Sequence, residues 1–210
     1  MEEIVLSKLL DRALALLHEV GVGILHEEQL AAALDVSPAT FRELFGSKAG
    51  LVCQAIQHNF ARQRAEHEQL LANLATPVER LLALLHHSLQ EMRRSPHYDY
   101  HVLREEYPEA WTLMQSYLTE YVAPLLVQLL QAGIQEGQFR AELNARLITH
   151  LLLAQFNLLV NEQFFPPTTP TLLRCTATCS FPTCAASAPM PAPAWSATSS
   201  PEYSGEIGNE

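Results

Sequence analysis

The chain has 210 residues, with 23 Asp and Glu against 13 Lys and Arg and a formal net charge of −10. That length supports one large domain or two small ones around a sizeable core. So acidic a balance excludes a sequence-blind nucleic-acid coat, which depends on neutralising many phosphates, yet it leaves room for a small local binding face.

The first residues, MEEIVLSKLL, are acidic where a secretory signal is basic. The longest apolar run, 147–160, is broken by Thr149, His150, Gln155 and Asn157 and falls short of the ~20 residues a membrane span needs. A soluble, cytoplasmic protein is expected. Leu6, Leu9, Leu10, Ala13, Leu17 and Val20 then recur at three-and-four spacing and predict a first helix, which Gly21 and Gly23 stop. A short second helix over 27–34 turns Leu30, Ala31 and Leu34 inward. Ser37 reads as an N-cap with Pro38 at the first helical position, and the helix after it carries Phe41, Leu44 and Phe45 on one face. Gly46 ends it, and Ser47 opens a long helix through Ile56 and Phe60 towards Leu71.

Thr76-Pro77-Val78-Glu79 is a capping box, and its helix runs through Leu81, Leu82, Leu85 and Leu89 to Arg94. The run SPHYDYH breaks the pattern at Pro96 and reads as a surface turn; His97 and His101 make only a weak metal pattern. A further long helix is predicted from Pro108 to about Ala132, kinked at Pro124, which removes a backbone bond. GIQEGQF is a turn, and 143–164 forms a last helix, apolar on nearly every side, that needs burial on more than one face.

From 166 to 210 the periodicity is lost and Pro, Ser, Ala and Cys accumulate, so a disordered tail is expected. The alternative is a shifted reading frame: regrouping the bases behind 175–191 permits an amphipathic segment with apolar residues at helix-like spacing. Cys175, Cys179 and Cys184 lack a fourth ligand nearby, and Cys53 stands alone, so no metal site is expected. Nor is an enzyme or a cofactor, since the chain lacks a Gly-rich phosphate loop, Gly-x-Ser-x-Gly, paired carboxylates on a recognisable scaffold and Glu-x-x-His.

Leu30-Ala31, Val36-Ser37, Thr40-Phe41, Phe45, Ser47-Lys48 and Leu51 together resemble the tetracycline-repressor (TetR) family of bacterial transcriptional regulators, over residues 5–60 without a gap. Beyond them the chain is similar only in style, through the Gly133, Glu136, Gly137, Phe139 turn before a long apolar helix. The resemblance implies an all-α fold with three parts. Residues 1–62 would form a three-helix, helix-turn-helix DNA-binding domain and 63–165 a helical ligand-binding and dimerisation domain, with 166–210 as the tail. It further implies a ligand-responsive repressor that binds palindromic double-stranded operator DNA as a homodimer. Ser37, Thr40 and Lys48 would touch phosphates, with Pro38, Ala39 and Glu43 at base edges. Arg42 stands where the family has a phosphate-bracing Tyr. Leu34-Asp35 replaces the family's Ala-Gly turn, and His26-Glu27 replaces a Thr and an aliphatic residue.

Residues 1–60 hold eight acids and four bases. A second reading therefore stands beside the first: a helical ligand- or partner-binding module of the same fold without DNA binding. In the larger domain Trp111, Met114, Tyr117 and Tyr121 are expected to form one stripe, with His86, Met92 and Phe156 meeting it across the bundle. They would line a pocket for a small, mostly apolar inducer, or simply pack as core. In the family the last two helices of each subunit form the dimer interface. This chain supplies only the first of them, 143–164, so a monomer or an aggregate is expected if the tail is a shifted frame.

Overall fold

A computed structural model describes residues 2–94 and 100–159, with the side chains of 2, 3, 93, 156, 157 and 159 outside that description. The tail from 166, the end of the last predicted helix and residues 97–99 lie outside it too. The elements are α1 (Glu2–Val20), α2 (Glu27–Ala33), α3 (Pro38–Phe45), α4 (Lys48–Ala72), α5 (Pro77–Arg94), α6 (Tyr100–Glu106), α7 (Pro108–Ser116), a π-helical segment (Tyr117–Val122), α8 (Ala123–Gln135) and α9 (Ala145–Leu159). None of these helices is long and apolar enough to cross a membrane.

The punctuation follows the local chemistry. Thr76 and Glu79 exchange hydrogen bonds, Glu79 N–H to Thr76 Oγ1 (3.2 Å) and Thr76 N–H to Glu79 Oε2 (3.0 Å). The backbone bond from Thr76 is also the main reason the Glu79 carboxyl titrates below its ordinary value. After α8, Gln138 N–H donates to Gly133 O and Gly137 N–H to Ile134 O, a Schellman closure in which Gly137 sits at φ 71°.

Two departures from the sequence reading have physical causes. The helix from Pro108 runs on to Gln135 but carries a π turn instead of a simple kink. Pro124 has no N–H for the carbonyl four residues back, and ahead of it Ala123 N–H reaches Leu118 O, five residues back. The second departure is α6, one short helix where only a turn was read; its anchor is Leu103, fully buried against the N-terminal helices.

Two cores result. One joins α1–α4 to α6 and α7, with Leu17, Leu30, Leu34, Phe41, Leu51 and Leu103 inside. The other joins α5, α8 and α9 through Leu81, Leu126, Leu130, Phe139 and Leu152. Helix α4 packs against α1, α3, α5 and α7, so it is in contact with both halves.

Candidate functional site

Two regions can carry function, the outer face of α3 and a cavity beside α4. Helix α2 ends at Leu34, and Asp35 adopts φ 62°. Val36 N–H then donates to Ala31 O (3.0 Å) and Asp35 N–H to Ala32 O (3.1 Å), again a Schellman closure. This reverses the chain in four residues. Ser37 Oγ accepts from Thr40 N–H (3.0 Å) and lies 2.8 Å from Thr40 Oγ1, which starts α3. Phe41 and Phe45 anchor its inner face, their rings edge to face at 5.2 Å. Gln54 donates to Leu44 O (3.2 Å), tying the end of α3 to α4.

The outer face is what remains. Ser37, Pro38, Ala39, Thr40, Arg42 and Glu43 are all exposed. Lys48 is half-buried, its Nζ 3.4 Å from Gly23 O and 5.6 Å from the centre of the Tyr107 ring. The Arg42 Nε donates to Glu27 Oε1 (3.2 Å), while the rest of the guanidinium faces solvent. Glu27 thus acts on Arg42 directly.

The cavity, about 200 Å³, lies between α4, α5, the 114–126 stretch and α9. Met92, Met114 and Tyr117 line it, with Phe60 stacked on Tyr117 (ring centres 4.1 Å apart, planes 3° apart). The structure places three other expected lining residues elsewhere. His86 is exposed and bonded to Gln90 (2.8 Å), because its position is a hundred degrees round α5 from that of His87. Trp111 packs on the N-terminal core. Tyr121 lies within the underwound π turn, beside His67 and Arg64 rather than on the lining. Phe156 has no described side chain.

The sequence reading did not single out the polar wall of this cavity. Asn59, Gln63 and His67 on α4, Glu91 on α5 and His18 on α1 all line it. Arg62 joins Asn59 Oδ1 (2.6 Å), Glu66 Oε1 (2.9 Å) and Glu91 Oε2 (3.1 Å). Glu66 Oε2 accepts from His87 Nε2 (2.9 Å), His87 Nδ1 lies 3.3 Å from His67 Nε2, and His67 Nδ1 lies 3.3 Å from the Tyr121 hydroxyl. Burial first, then His87, pushes His67 down to about 4, and burial also lowers His18. Burial raises Tyr100 to about 12 and lifts Tyr117 further. Glu66, His87 and Glu91 place ligand atoms within 4.8 Å of one another, a set able to hold a metal ion, but Arg62 already supplies a cation to both carboxylates. A signal existed in sequence: Asn59, Gln63 and His67 recur every four residues along one side of a helix.

No protein-family profile matches the chain, and no curated protein matches it by sequence. Solved structures do. A TetR-family transcriptional regulator from Agrobacterium tumefaciens superposes with TM-score 0.70 at 15% identity, covering 90% of this chain and all of that one (100%). FadR from Bacillus subtilis, solved with stearoyl-CoA, gives 0.62 at 15% identity over 85% of this chain and 97% of its own. AibR, solved with isovaleryl coenzyme A and operator DNA, gives 0.57 at 17% identity over 83% and 94%. The chain has the all-α fold of the TetR-family regulators.

Proposed function

We propose that the chain is a ligand-responsive transcriptional repressor that binds palindromic operator DNA as a homodimer. The observation that carries this reading is the outer face of α3: a capped, Phe-anchored helix whose Ser37–Thr40, Arg42 and Glu43 surface is contiguous and exposed. Residues 1–62 would be the DNA-binding unit and 63–165 the ligand-binding and dimerising unit. AibR, which shares the fold, was solved with both operator DNA and a small ligand.

Coupling follows from α4. It begins directly after α3, and its Ile56, Asn59, Phe60, Gln63 and His67 line the cavity. A ligand that moves α4 moves α3, and in a dimer that alters the spacing of two half-site readers. The partner would seat on α9, where Leu147, Leu151, Ala154 and Leu158 form an exposed stripe at i, i+4, i+7 and i+11.

A second reading, a ligand- or partner-binding module without DNA activity, draws on the acidic excess of residues 1–60 and on the pairing of Arg42 with Glu27. Binding to the DNA upstream of its own gene, measured at two salt concentrations, separates the two. A repressor gives a specific shift whose affinity falls with salt. A dimeric sample with no salt-sensitive shift on any upstream fragment favours the module.

A further inference from the structure

The polar wall of the cavity specifies more than a greasy ligand. Asn59 and Gln63 stand one helical turn apart on α4, and both line the cavity. Each has its carbonyl oxygen taken from within the protein: Arg62 Nη2 donates to Asn59 Oδ1 (2.6 Å), and the Tyr117 hydroxyl donates to Gln63 Oε1 (3.1 Å). The Arg62 bond fixes which way the Asn59 amide is turned, since a guanidinium only donates, and the Gln63 amide as placed turns its oxygen to the Tyr117 hydroxyl. What each has left is its NH2 end, which has no protein partner among the described residues. The α4 wall therefore offers the cavity two amide donors at adjacent positions.

The rest of the lining narrows the ligand further. No Lys or Arg is among the described residues that line the cavity, and its one carboxylate is Glu91. The Arg62 guanidinium behind the wall is already shared by Glu66 and Glu91. An anionic head would lose its hydration here without gaining a cation, and buried charge without a partner is costly. A neutral carbonyl oxygen, by contrast, has two in-plane lone pairs and can accept from both amides. The stacked Phe60 and Tyr117 rings add aromatic surface to the cavity. Its volume of about 200 Å³ exceeds the ~150 Å³ known to hold benzene, which suits a bicyclic body of about ten carbons rather than a long acyl chain.

We infer that the cavity binds a compact, neutral, carbonyl-bearing ring compound, its oxygen held between the Asn59 and Gln63 amide donors. This rests on the ligand-binding half of the proposed function and names the chemistry of that site.

Calorimetry on the full chain with 1-tetralone, 1-tetralol, tetralin and tetralin-1-carboxylate tests it without DNA. The expected order is tetralone, then tetralol, then tetralin, with tetralone about tenfold or more tighter than tetralin and the carboxylate weakest. Gln63→Glu and Asn59→Asp keep an acceptor for Tyr117 and Arg62, delete the donors and add a charge, so the uncharged Gln63→Met separates loss of the donor from the added charge. Each variant should reduce the ratio of tetralone to tetralin affinity, and an Asn59/Gln63 double variant should bring it close to one. Equal binding of tetralone and tetralin would leave a ligand cavity standing and overturn the carbonyl assignment. Tightest binding by the carboxylate, or a ratio unmoved by the variants, overturns it as well. If no member of the series binds, both size and class are wrong, and operator binding by the unliganded chain still stands or falls on its own assay.

Discussion

His67 should make the protein acid-sensitive in a defined window. Its ring is 5% exposed, stacked near Tyr121 (planes 5° apart) and edge-on to His87. With Glu66 accepting from His87 Nε2–H, His87 Nδ1 is an acceptor for His67 Nε2–H, and His67 Nδ1 accepts from the Tyr121 hydroxyl. That arrangement requires a neutral His67. Burial and the neighbouring His87 hold it so down to about 4, against the opposing pull of Glu66 and Glu91, while Arg64 lies 4.9 Å from the centre of the Tyr121 ring. In the unfolded chain the ring takes its proton near its ordinary 6.5. Between those values the unfolded state binds more protons, so stability is complete above about 6.5 and declines as pH falls towards 4. At about 1.4 kcal/mol per pH unit, the full span amounts to roughly 3 kcal/mol, a large part of a typical net stability. Urea unfolding of wild type and His67→Gln at pH 7.5, 6, 5 and 4.5 isolates this contribution, because the other carboxylates and histidines largely cancel in the difference. The wild type should lose stability relative to the variant as pH falls. Parallel profiles across the whole range would show that the folded ring titrates like the unfolded one, with the Glu66 and Glu91 charges offsetting burial.

Three further outcomes follow from other parts of the molecule. Arg42→Ala should weaken binding to all DNA sequences and reduce the log–log salt slope by about one, read by gel shift at several salt concentrations; a loss confined to one base pair would make Arg42 a base reader. Gly50→Ala places a Cβ against the Phe45 carbonyl oxygen, so it should push α3 off α4, cost on the order of 1–3 kcal/mol in a thermal melt and lower operator affinity; an unchanged melt would refute the close approach. Leu147→Glu with Leu151→Glu puts charge on the exposed α9 stripe and should convert a dimer to monomers in sedimentation. A wild-type chain that already sediments as a monomer refutes that interface.

What was legible in sequence was whatever local chemistry decides. Ser37, Pro38 and Thr76 through Glu79 cap helices by contacts within four residues, and the structure shows those contacts. The apolar stripe of α1 needs only the helical period, and Ala13 and Leu17 are buried as that period requires. The cavity was only partly legible, because it depends on rotation about helix axes. His86 and His87 look alike in a sequence, yet one meets solvent and the other meets Glu66 and His67. Six π-helical residues before Pro124 shift the register, so a stripe extrapolated from Trp111 to Tyr121 leaves the cavity wall at Tyr121. The ion pairs of Arg62 and Glu66 had no counterpart in sequence, because only the packing of α5 against α4 brings Glu91 and His87 to them.

The turn before α3 sets the last test. A left-handed backbone costs an ordinary L-residue roughly 1–2 kcal/mol, less for Asp, and Gly avoids that cost while losing more entropy on folding. Asp35, at φ 62°, sits in that region with its side chain exposed and is the one described residue other than glycine that does so. The two backbone bonds from Asp35 and Val36 back to α2 hold it there. Asp35→Ala should therefore destabilise the chain by about 1 kcal/mol, and Asp35→Gly should be neutral or slightly stabilising, as read by urea midpoints. Both remove the same negative charge beside α3, so electrostatics alone would strengthen DNA binding equally in the two variants. Ala, which strains the turn, should bind more weakly than Gly. If the two bind alike while differing in stability, the turn fixes the fold but not the aim of α3. If they do not differ in stability, the left-handed geometry at Asp35 carries no strain.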